Sequence, residues 1–199
     1  MRILVVYSHP APTSFLASVH AELVRRLEAD GHAVRVIDLY AEGFEPVLDP
    51  EAWRAHRRDE QAEAADLVPH IAALREAEGL IFVYPTWWYG MPAMLKGWLD
   101  RVWQPGVAFT LKDGVFQLHH LTDMRRFAVV TTCGSPSWFI ERIVGDPARR
   151  QLMRGMALQL ARGVRRCWSP IYDVDRRSQD DLAKARARAV DRVARFMGV

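Results

Sequence analysis

The chain of 199 residues is 50% hydrophobic and 26% charged, a globular composition that excludes a disordered or collagen-like chain. Its formal net charge of +3 indicates either an ordinary solvated surface or attraction of an anionic cofactor. Because the arginines are spread along the chain rather than packed into one tract, nucleic-acid binding is not expected. Its two cysteines, Cys133 and Cys167, form no CxxC pair, so neither a disulfide framework nor a metal site is expected.

The first forty residues predict a strand, a helix and a second strand. Residues 3–7 are apolar and β-branched, as in a strand buried on both faces of a parallel sheet. This run is too short for a membrane span or a signal peptide, which predicts a cytoplasmic protein without a membrane span. Residues 15–29 carry apolar side chains at helical spacing, Gly31 follows as a helix stop, and residues 33–38 read as a second strand. Such a unit forms a parallel strand pair with a right-handed crossover.

The rest of the chain continues the alternation of strand and helix. The predicted elements are a long loop with a short helix near Trp53 (residues 41–61), helices over residues 62–77, 92–103, 148–161 and 179–197, and strands over residues 79–84, 127–132 and 164–172. This order predicts an α/β fold with a doubly wound, five-stranded parallel sheet and helices on both faces. The absence of repeats and linkers predicts that residues 1–199 form a single domain.

Three loops follow strands of the predicted sheet, and ligands of open α/β sheets bind at such loops. The first loop, residues 8–15, offers the imidazole of His9, three hydroxyls and a helix N-terminus, which together suit a phosphate. It lacks the glycines of a Walker A loop or of GxGxxG, which excludes those two kinds of phosphate site. Alternatively, Thr13 and Ser14 only cap the helix, and His9 is a surface residue.

The second loop, residues 85–92, places Trp87, Trp88 and Tyr89 in a row between a buried strand and a helix. Three consecutive aromatic side chains in a loop cannot all enter the core. They therefore suggest a stacking platform for a planar ligand such as a flavin or a quinone. The alternatives are a protein interface or a satellite cluster of the core.

The third loop, residues 131–139, contains small residues, hydroxyls and Gly134, which permits close approach of a ligand to the backbone. Its N–H groups would suit the acceptor edge of an isoalloxazine ring, although a plain strand-to-helix turn is the alternative. No histidine or carboxylate lies near Cys133 in the sequence, so a nucleophilic thiol is not expected.

The most specific stretch is residues 85–102, PTWWYGMPAMLKGWLDRV. With Ser8-His9, residues 106–109 (GVAF) and the Thr131-Thr132 pair, it resembles the NAD(P)H:quinone oxidoreductase (DT-diaphorase-like) family of the flavodoxin-like superfamily. In that family a proline and aromatic residues precede a glycine, an apolar residue and PAxLKGWxDRV. The similarity extends from residue 1 to about residue 146.

The resemblance implies a flavodoxin-like fold, a tightly held flavin, NAD(P)H as co-substrate, and a homodimer with its active site at the subunit boundary. By analogy with the family, the flavin is FAD, with FMN as the alternative. The implied cofactor-binding residues are His9, Thr13, Ser14, Phe15 and Leu16 at the phosphates, Pro85, Thr86, Trp87, Trp88 and Tyr89 along the ring, and Thr131, Thr132, Cys133 and Gly134 at its polar edge. Lys96 and Trp98 resemble helix and dimer-packing residues rather than catalysts.

Several positions depart from the family pattern. Leu16 and Cys133 replace a common asparagine and a common glycine. Phe139 stands where the best-known members carry the tyrosine that assists hydride transfer, and their helper histidine falls near Val144 or Gly145. Phe139, Val144 and Gly145 have no side-chain group that donates a hydrogen bond, so that proton relay does not carry over. The catalytic residues are therefore unknown; a backbone amide, His119, His120 or water are the candidates for the replacement.

The expected function is a two-electron, ping-pong transfer of hydride from NAD(P)H through the flavin to a quinone or a similar small acceptor. The expected pocket walls are Trp87, Trp88, Tyr89 and Phe139. The rival functions are a flavin-binding electron carrier, an ancillary regulatory subunit of another protein, and an azo- or nitroreductase that differs only in pocket shape. The basic charge argues against an electron carrier, because small flavodoxins are acidic.

Overall fold

Seven strands are present in the computed structural model, which describes residues 1–57, 65–112, 115–117 and 121–198. In chain order they are β1 (Arg2–Tyr7), β2 (Ala33–Asp38), β3 (Gly79–Pro85), β4 (Thr110–Lys112), β5 (Val115–Gln117), β6 (Arg126–Thr132) and β7 (Arg165–Ile171). Five of them form a parallel sheet in the order β2-β1-β3-β6-β7, and β4 and β5 pair with each other in antiparallel fashion. The doubly wound, five-stranded parallel sheet predicted from the sequence is confirmed, and its order reverses between β1 and β3.

Six α-helices connect and cover the strands within the described residues. They are α1 (Phe15–Ala29), α2 (Pro50–Arg57), α3 (Val68–Glu76), α4 (Ala93–Val102), α5 (Pro147–Arg150) and α6 (Gln179–Gly198). Side chains of α1 and α6, such as Leu23 and Val193, join Val5 in the core on one face of the sheet. Side chains of α3 and α4, such as Leu74, join Leu4 on the other face. The expected helices on both faces are therefore present.

Local capping signals define both ends of α1. The Ser14 side chain accepts a hydrogen bond from the Ala17 amide at 3.1 Å, which satisfies one of the unpaired donors of the first turn. At the other end, Gly31 adopts a φ of +83° and donates to the carbonyl of Glu28. The next amide, of His32, donates to the carbonyl of Leu27, which completes a Schellman motif. The predicted helix over residues 15–29 is confirmed.

The central strands of the sheet are buried, as their apolar sequences predicted. All seven residues of β3 are buried, including Tyr84. Trp98 of α4 is fully buried and donates a hydrogen bond from Nε1 to Nδ1 of His70 at 3.2 Å. Of the two roles expected for Trp98, packing of its own helix and packing at a dimer surface, the structure supports the first, because the indole belongs to the core of its own chain. Burial of one such side chain contributes about 1.5–3 kcal/mol.

Some elements differ from the predicted ones. The β4–β5 hairpin was not predicted, because its strands have three residues each and lack a readable period. The helix predicted over residues 62–77 begins at Val68 within the described residues; residues 58–64 lie outside them. The helix predicted over residues 148–161 is α5 followed by the π-helical segment Gln151–Gly155 and the 3₁₀ turn Met156–Gln159. A further π-helical segment, Phe139–Val144, follows the third loop.

Within the described ranges, no helix combines the length and the apolar character that a membrane span requires. In the same ranges, no cluster of three or more histidine, cysteine, aspartate or glutamate side chains is arranged to hold a metal ion.

Candidate functional site

The carboxyl ends of four parallel strands meet at one edge of the sheet. Tyr7 pairs with Val83, and Thr132 pairs with both Pro85 and Ile171. The loops after β1, β3, β6 and β7 therefore start side by side. Three of them are the loops that the sequence singled out. The fourth, residues 172–176 after β7, carried no motif and was missed, although strand order alone brings it to the same edge.

The first loop combines a helix N-terminus with a neutral imidazole. The Ala11 amide donates to Nδ1 of His9 at 3.0 Å, which leaves Nε2 to carry the ring proton. Burial lowers the pKa of His9, so the ring is neutral at pH 7 and offers one N–H donor. Ser8 is fully buried, and its Oγ has no hydrogen-bond partner among the described residues. Such an orphaned hydroxyl is expected to meet a ligand or water.

The other residues of this loop take different positions. Thr13 is exposed beside the helix start, and Phe15 is half-buried against the core. Leu16 is 2% exposed and lies in the core between α1 and the sheet. The Leu16 side chain is therefore turned away from any ligand of this loop, and only its backbone amide in the first helical turn is left for a phosphate. An asparagine at this position would bury its amide group in that apolar core, which costs free energy unless the amide finds hydrogen-bond partners.

The second loop is a tight turn with an unusual backbone. Trp87 and Gly90 exchange two backbone hydrogen bonds of 3.0 Å each, so Trp88 and Tyr89 are the two residues at the tip. Both have positive φ, +49° for Trp88 and +65° for Tyr89. A type I′ turn of this kind favours asparagine and glycine, and each left-handed aromatic residue costs roughly 1–2 kcal/mol. Strain of this size is typical of functional sites.

The turn raises its aromatic side chains out of the protein. Trp88 is 94% exposed, and Trp87 and Tyr89 are 43% and 37% exposed. The Tyr89 ring lies 6.3 Å from that of Phe139, and the Trp87 ring lies 6.4 Å from that of His9. We name Trp87, Trp88, Tyr89 and Phe139 the aromatic shelf. It joins the first, second and third loops into one open surface.

Behind the shelf, the second and third loops are fastened by hydrogen bonds. The Thr86 amide donates to the Thr132 carbonyl at 2.7 Å, and the hydroxyls of Thr86 and Thr131 are 2.8 Å apart. Thr131 and Thr132 are both buried, as is Pro85 at the end of β3. These residues therefore position the two loops. Thr86 is half-buried, and it is the one of the three threonines nearest to the aromatic shelf in the sequence.

The third loop is bound to the end of β7 and to the fourth loop by backbone hydrogen bonds. Cys133 donates its amide to the Ile171 carbonyl at 2.9 Å and accepts from the Val174 amide at 3.1 Å. Its backbone is thus occupied, and burial raises the pKa of its thiol, which makes a thiolate nucleophile unfavourable. The next residue, Gly134, keeps an amide that donates no hydrogen bond within the described residues.

Gly134 lies against the side chain of Asp175 in the fourth loop. A Cβ at this position would lie 2.1 Å from Oδ2 of Asp175. The fourth loop is held there by the Asp173 amide, which donates to the Ser135 carbonyl at 3.1 Å. Asp175 is the residue that sequence reasoning did not associate with the site. Of the candidates for the missing proton donor, Gly134 offers its backbone amide, whereas His119 and His120 lie outside the described residues.

These features fit a flavin mononucleotide unit. A neutral N–H donor, an orphaned hydroxyl and a helix N-terminus suit its phosphate, and the shelf suits its planar ring. The Gly134 amide suits the acceptor edge of the ring. Orphaned buried groups and strained aromatic residues are more readily explained by such a ligand than by a plain surface.

Comparisons with known proteins agree with this fold. A family model described as the flavodoxin-like fold matches residues 1–193, and the chain belongs to that family. Its relatives include the ribosyldihydronicotinamide dehydrogenase-like protein traD of Penicillium crustosum, 37% identical over 168 residues, covering 74% of this chain and 63% of that protein. The ribosyldihydronicotinamide dehydrogenase (quinone) of Rattus norvegicus is 32% identical over 165 residues, covering 74% of this chain and 70% of that protein.

A solved structure has the same fold. The NAD(P)H:quinone oxidoreductase from Methanothermobacter marburgensis superimposes with a TM-score of 0.86 at 25% sequence identity, covering 100% of this chain and 98% of that one. The resemblance to the quinone oxidoreductases that the sequence indicated is confirmed, as is the flavodoxin-like fold.

Proposed function

We propose that this chain is a flavin-dependent NAD(P)H oxidoreductase that transfers two electrons by a ping-pong hydride mechanism to quinones or similar small acceptors. The observation that carries the proposal is the aromatic shelf, in which Trp88 is 94% exposed on a strained turn beside a phosphate-binding type of loop. The printed names of the relatives, quinone dehydrogenases among them, support the same activity. The flavin, when bound, supplies a ring that accepts a hydride from reduced nicotinamide and passes two electrons to an acceptor.

The residues of the chain have three tasks in this proposal. His9 Nε2–H, Ser8 Oγ and the amides that open α1 bind the phosphate. The aromatic shelf orients the ring and the stacked substrate and excludes water from them, which brings the reacting groups together. The Gly134 amide holds negative charge at the polar edge of the ring, in the place of the tyrosine and histidine of other family members.

The proposal includes FAD as the flavin, with FMN as the alternative, and a cytoplasmic homodimer formed from one domain per chain. The exposure of Trp88 at 94% and of Trp138 at 57% supports the homodimer, because a second copy would cover apolar side chains that otherwise face water. Acid extraction and chromatography of the flavin, with light scattering of the purified protein, test both points. A monomer that stays active at all concentrations would contradict the shared site.

The first experiment is an anaerobic titration of the flavin-loaded protein with NADPH, with the visible flavin band as readout. We expect complete bleaching without a semiquinone phase, and recovery of the band when a quinone is added. A band that only dithionite bleaches, with a stable semiquinone, would instead indicate an electron carrier or an ancillary subunit.

A matched pair of variants assigns the activity to the shelf. Trp88→Ala removes from the shelf an indole that is 94% exposed, whereas Trp53→Ala removes from α2 an indole that is 51% exposed. We expect Trp88→Ala to raise the KM for the quinone or to weaken flavin retention by about tenfold, since stacking contributes on the order of 1 kcal/mol or more. Trp53→Ala should leave both unchanged. Unchanged kinetics and flavin content in Trp88→Ala would remove the shelf from the site.

A further inference from the structure

A second concave surface lies at the amino ends of the parallel strands. A cavity of about 900 Å³ is found there, within the size range of small-molecule sites. Three of its lining residues, Arg2, Arg126 and Arg165, are the first residues of β1, β6 and β7. Because these strands are parallel, the cavity and the candidate functional site lie at opposite edges of the sheet. We name it the amino-edge cavity.

Arginine side chains dominate the wall of the amino-edge cavity. Its basic lining residues are Arg2, Arg125, Arg126, Arg162 and Arg165. The acidic ones are only Glu78 and Asp123, so the side chains of the wall carry an excess of three positive charges, as large as the formal net charge of the whole chain. None of the described lining residues is aromatic, so the wall offers no platform on which a base could stack.

Two of these arginines are neighbours in the sheet. Arg126 of β6 pairs in register with Arg165 of β7, and like charges in directly opposed positions repel each other. Burial lowers the pKa of Arg126, and the nearby charge of Arg165 lowers it further. Arg126 donates hydrogen bonds to the carbonyls of Phe196 and Met197, which hold it at the carboxyl end of α6. An anion in the cavity would reduce the repulsion between the two guanidinium groups.

A row of backbone hydrogen bonds fixes the rim of the cavity. The Glu78 amide donates to the Arg2 carbonyl at 2.9 Å, and the Arg125 amide donates to the Glu78 carbonyl at 3.0 Å. The Arg165 amide in turn donates to the Arg125 carbonyl at 2.9 Å. The backbones of three arginines are therefore already ordered around the cavity, which lowers the cost of binding a ligand there.

Arg125 and Arg162 are the arginines most available to a ligand. Both are exposed, and within the described part of the chain neither guanidinium donates a hydrogen bond. Arg2, in comparison, forms an ion pair of 3.7 Å with Glu78. The hydrogen bond from the Arg2 amide, with the charges of Arg2 and Arg125, lowers the pKa of Glu78, so this carboxylate stays ionised and compensates part of the positive charge. Guanidinium groups without such a partner are well suited to bidentate contacts with phosphate oxygens.

The spacing of the arginines bears on the size of the ligand. Arg2 and Arg165 begin strands that are three positions apart in the order β1-β3-β6-β7, roughly 14 Å across the sheet. A single phosphate can meet only part of such a row, whereas linked phosphates place negative charge along it. The absence of an aromatic side chain among the described lining residues favours an anion without a base.

We propose that the amino-edge cavity binds a small oligophosphate, an anion with two or more linked phosphate groups. Arg125 and Arg162 contact the phosphate oxygens, Arg165 contacts the same anion from β7, and Arg126 adds its charge from behind. This site is separate from the redox site, and the inference does not depend on the proposed function.

The test compares Arg125→Gln/Arg162→Gln with Arg149→Gln/Arg154→Gln. The first variant removes two exposed arginines from the amino-edge cavity, and the control removes two exposed arginines from a separate cavity of about 550 Å³. Both change the net charge equally. Tripolyphosphate, pyrophosphate, orthophosphate and ADP are titrated by calorimetry at constant low ionic strength, because salt screens such contacts. Each titration is run with and without bound flavin, since flavin would fill the phosphate-binding type of loop after β1.

We expect one tripolyphosphate to bind per chain, at least tenfold more tightly than orthophosphate, whether or not flavin is bound. ADP should bind no more tightly than pyrophosphate, because nothing in the described wall stacks its base. The cavity variant should bind tripolyphosphate at least tenfold more weakly, and the control should stay within twofold of the unchanged protein. Tripolyphosphate should also raise the Tm of the unchanged protein and of the control, but not that of the cavity variant.

Four outcomes would overturn the inference. Absence of saturable binding would remove the site, and equal weakening in the two variants would show a response to net charge alone. Tripolyphosphate binding that disappears when flavin is bound would belong to the loop after β1. ADP binding at least tenfold tighter than that of pyrophosphate would indicate a nucleotide site instead. The proposed redox function is judged separately, by the bleaching of the flavin with NADPH.

Discussion

The ring of Tyr89 lies 6.3 Å from the ring of Phe139, and this contact joins the loop after β3 to the loop after β6. Tyr89 carries a hydroxyl, but Phe139, which stands where the resembling family has tyrosine, is apolar. The third loop therefore presents to the shelf a side chain that cannot donate a hydrogen bond. Its Gly134 amide is the donor that the backbone supplies at this edge.

Restoring a phenol at this position should accelerate reduction of the flavin. A hydrogen bond to a group that becomes charged contributes about 1.5–3 kcal/mol, which corresponds to roughly tenfold or more in rate. We expect Phe139→Tyr to raise the limiting rate of bleaching by NADPH by about tenfold in anaerobic stopped-flow experiments. Trp138→Tyr is the control, since Trp138 is adjacent and 57% exposed. Equal rates in the two variants would show that the backbone donor already suffices.

Substitutions at Trp88 separate the stability cost of its strained backbone from the binding contribution of its indole. Trp88 has a φ of +49°, so glycine at this position avoids a cost that alanine retains. We expect Trp88→Gly to be more stable than Trp88→Ala by about 1 kcal/mol in urea denaturation. Because both variants lack the indole, both should lose affinity for flavin or quinone to the same extent. Equal stability of the two variants would contradict the assigned strain.

The parts of the fold that the sequence predicted are those with local signals. The strands β1, β3 and β6 are buried on both faces, so they read as unbroken apolar runs whatever surrounds them. Helix α1 has its own cap and its own stop in Ser14 and Gly31. Three of the four site loops followed because each comes directly after such a strand.

The parts that were missed depend on contacts made across the chain. The left-handed backbone of Trp88 and Tyr89 contradicts their own preferences, and it occurs in the turn that the pairing of Trp87 with Gly90 closes. Asp175 joins the site because β7 ends beside β6, which no local pattern reports. A cavity of about 550 Å³ is lined by arginines from α5, the following π-helical segment and β7, although the sequence shows them only as scattered residues.

The glycine of the Lys96-Gly97-Trp98 stretch has a steric reason that the motif alone does not reveal. A Cβ on Gly97 would lie 2.1 Å from the carbonyl oxygen of Pro46, so the loop after β2 packs directly on the backbone of α4. We expect Gly97→Ala to lower the free energy of unfolding by about 3 kcal/mol, because backbone atoms must shift. Gly155→Ala is the matched control, since a Cβ there has nothing within 4 Å. That substitution should stabilise by roughly 0.5–1 kcal/mol, and a similar loss in both variants would contradict the clash.

The buried histidine beside Trp98 predicts how stability depends on pH. Nδ1 of His70 accepts the Trp98 indole N–H, and burial lowers the pKa of His70, an effect that the nearby Asp66 charge partly opposes. Burial also lowers the pKa of His20. Well above pH 6.5 these groups are neutral in both states, so they leave stability unaffected. As the pH falls below 6.5, the unfolded chain takes up protons that the folded chain does not, and the free energy of unfolding declines.

Glutamine at position 70 separates this titration from the hydrogen bond. The side-chain oxygen of His70→Gln can still accept from the Trp98 indole, but it does not ionise near neutral pH. We expect the variant and the unchanged protein to differ little at pH 8, whereas the variant should lose less stability between pH 7 and pH 5. Glu42, whose Oε2 lies 3.6 Å from Nε2 of His70, is present in both proteins, so its own titration cancels in the comparison to first order. Parallel curves of unfolding free energy against pH would mean that His70 takes up its proton without cost in the folded state. The Trp98 indole would then have to exchange its partner for another acceptor in the core.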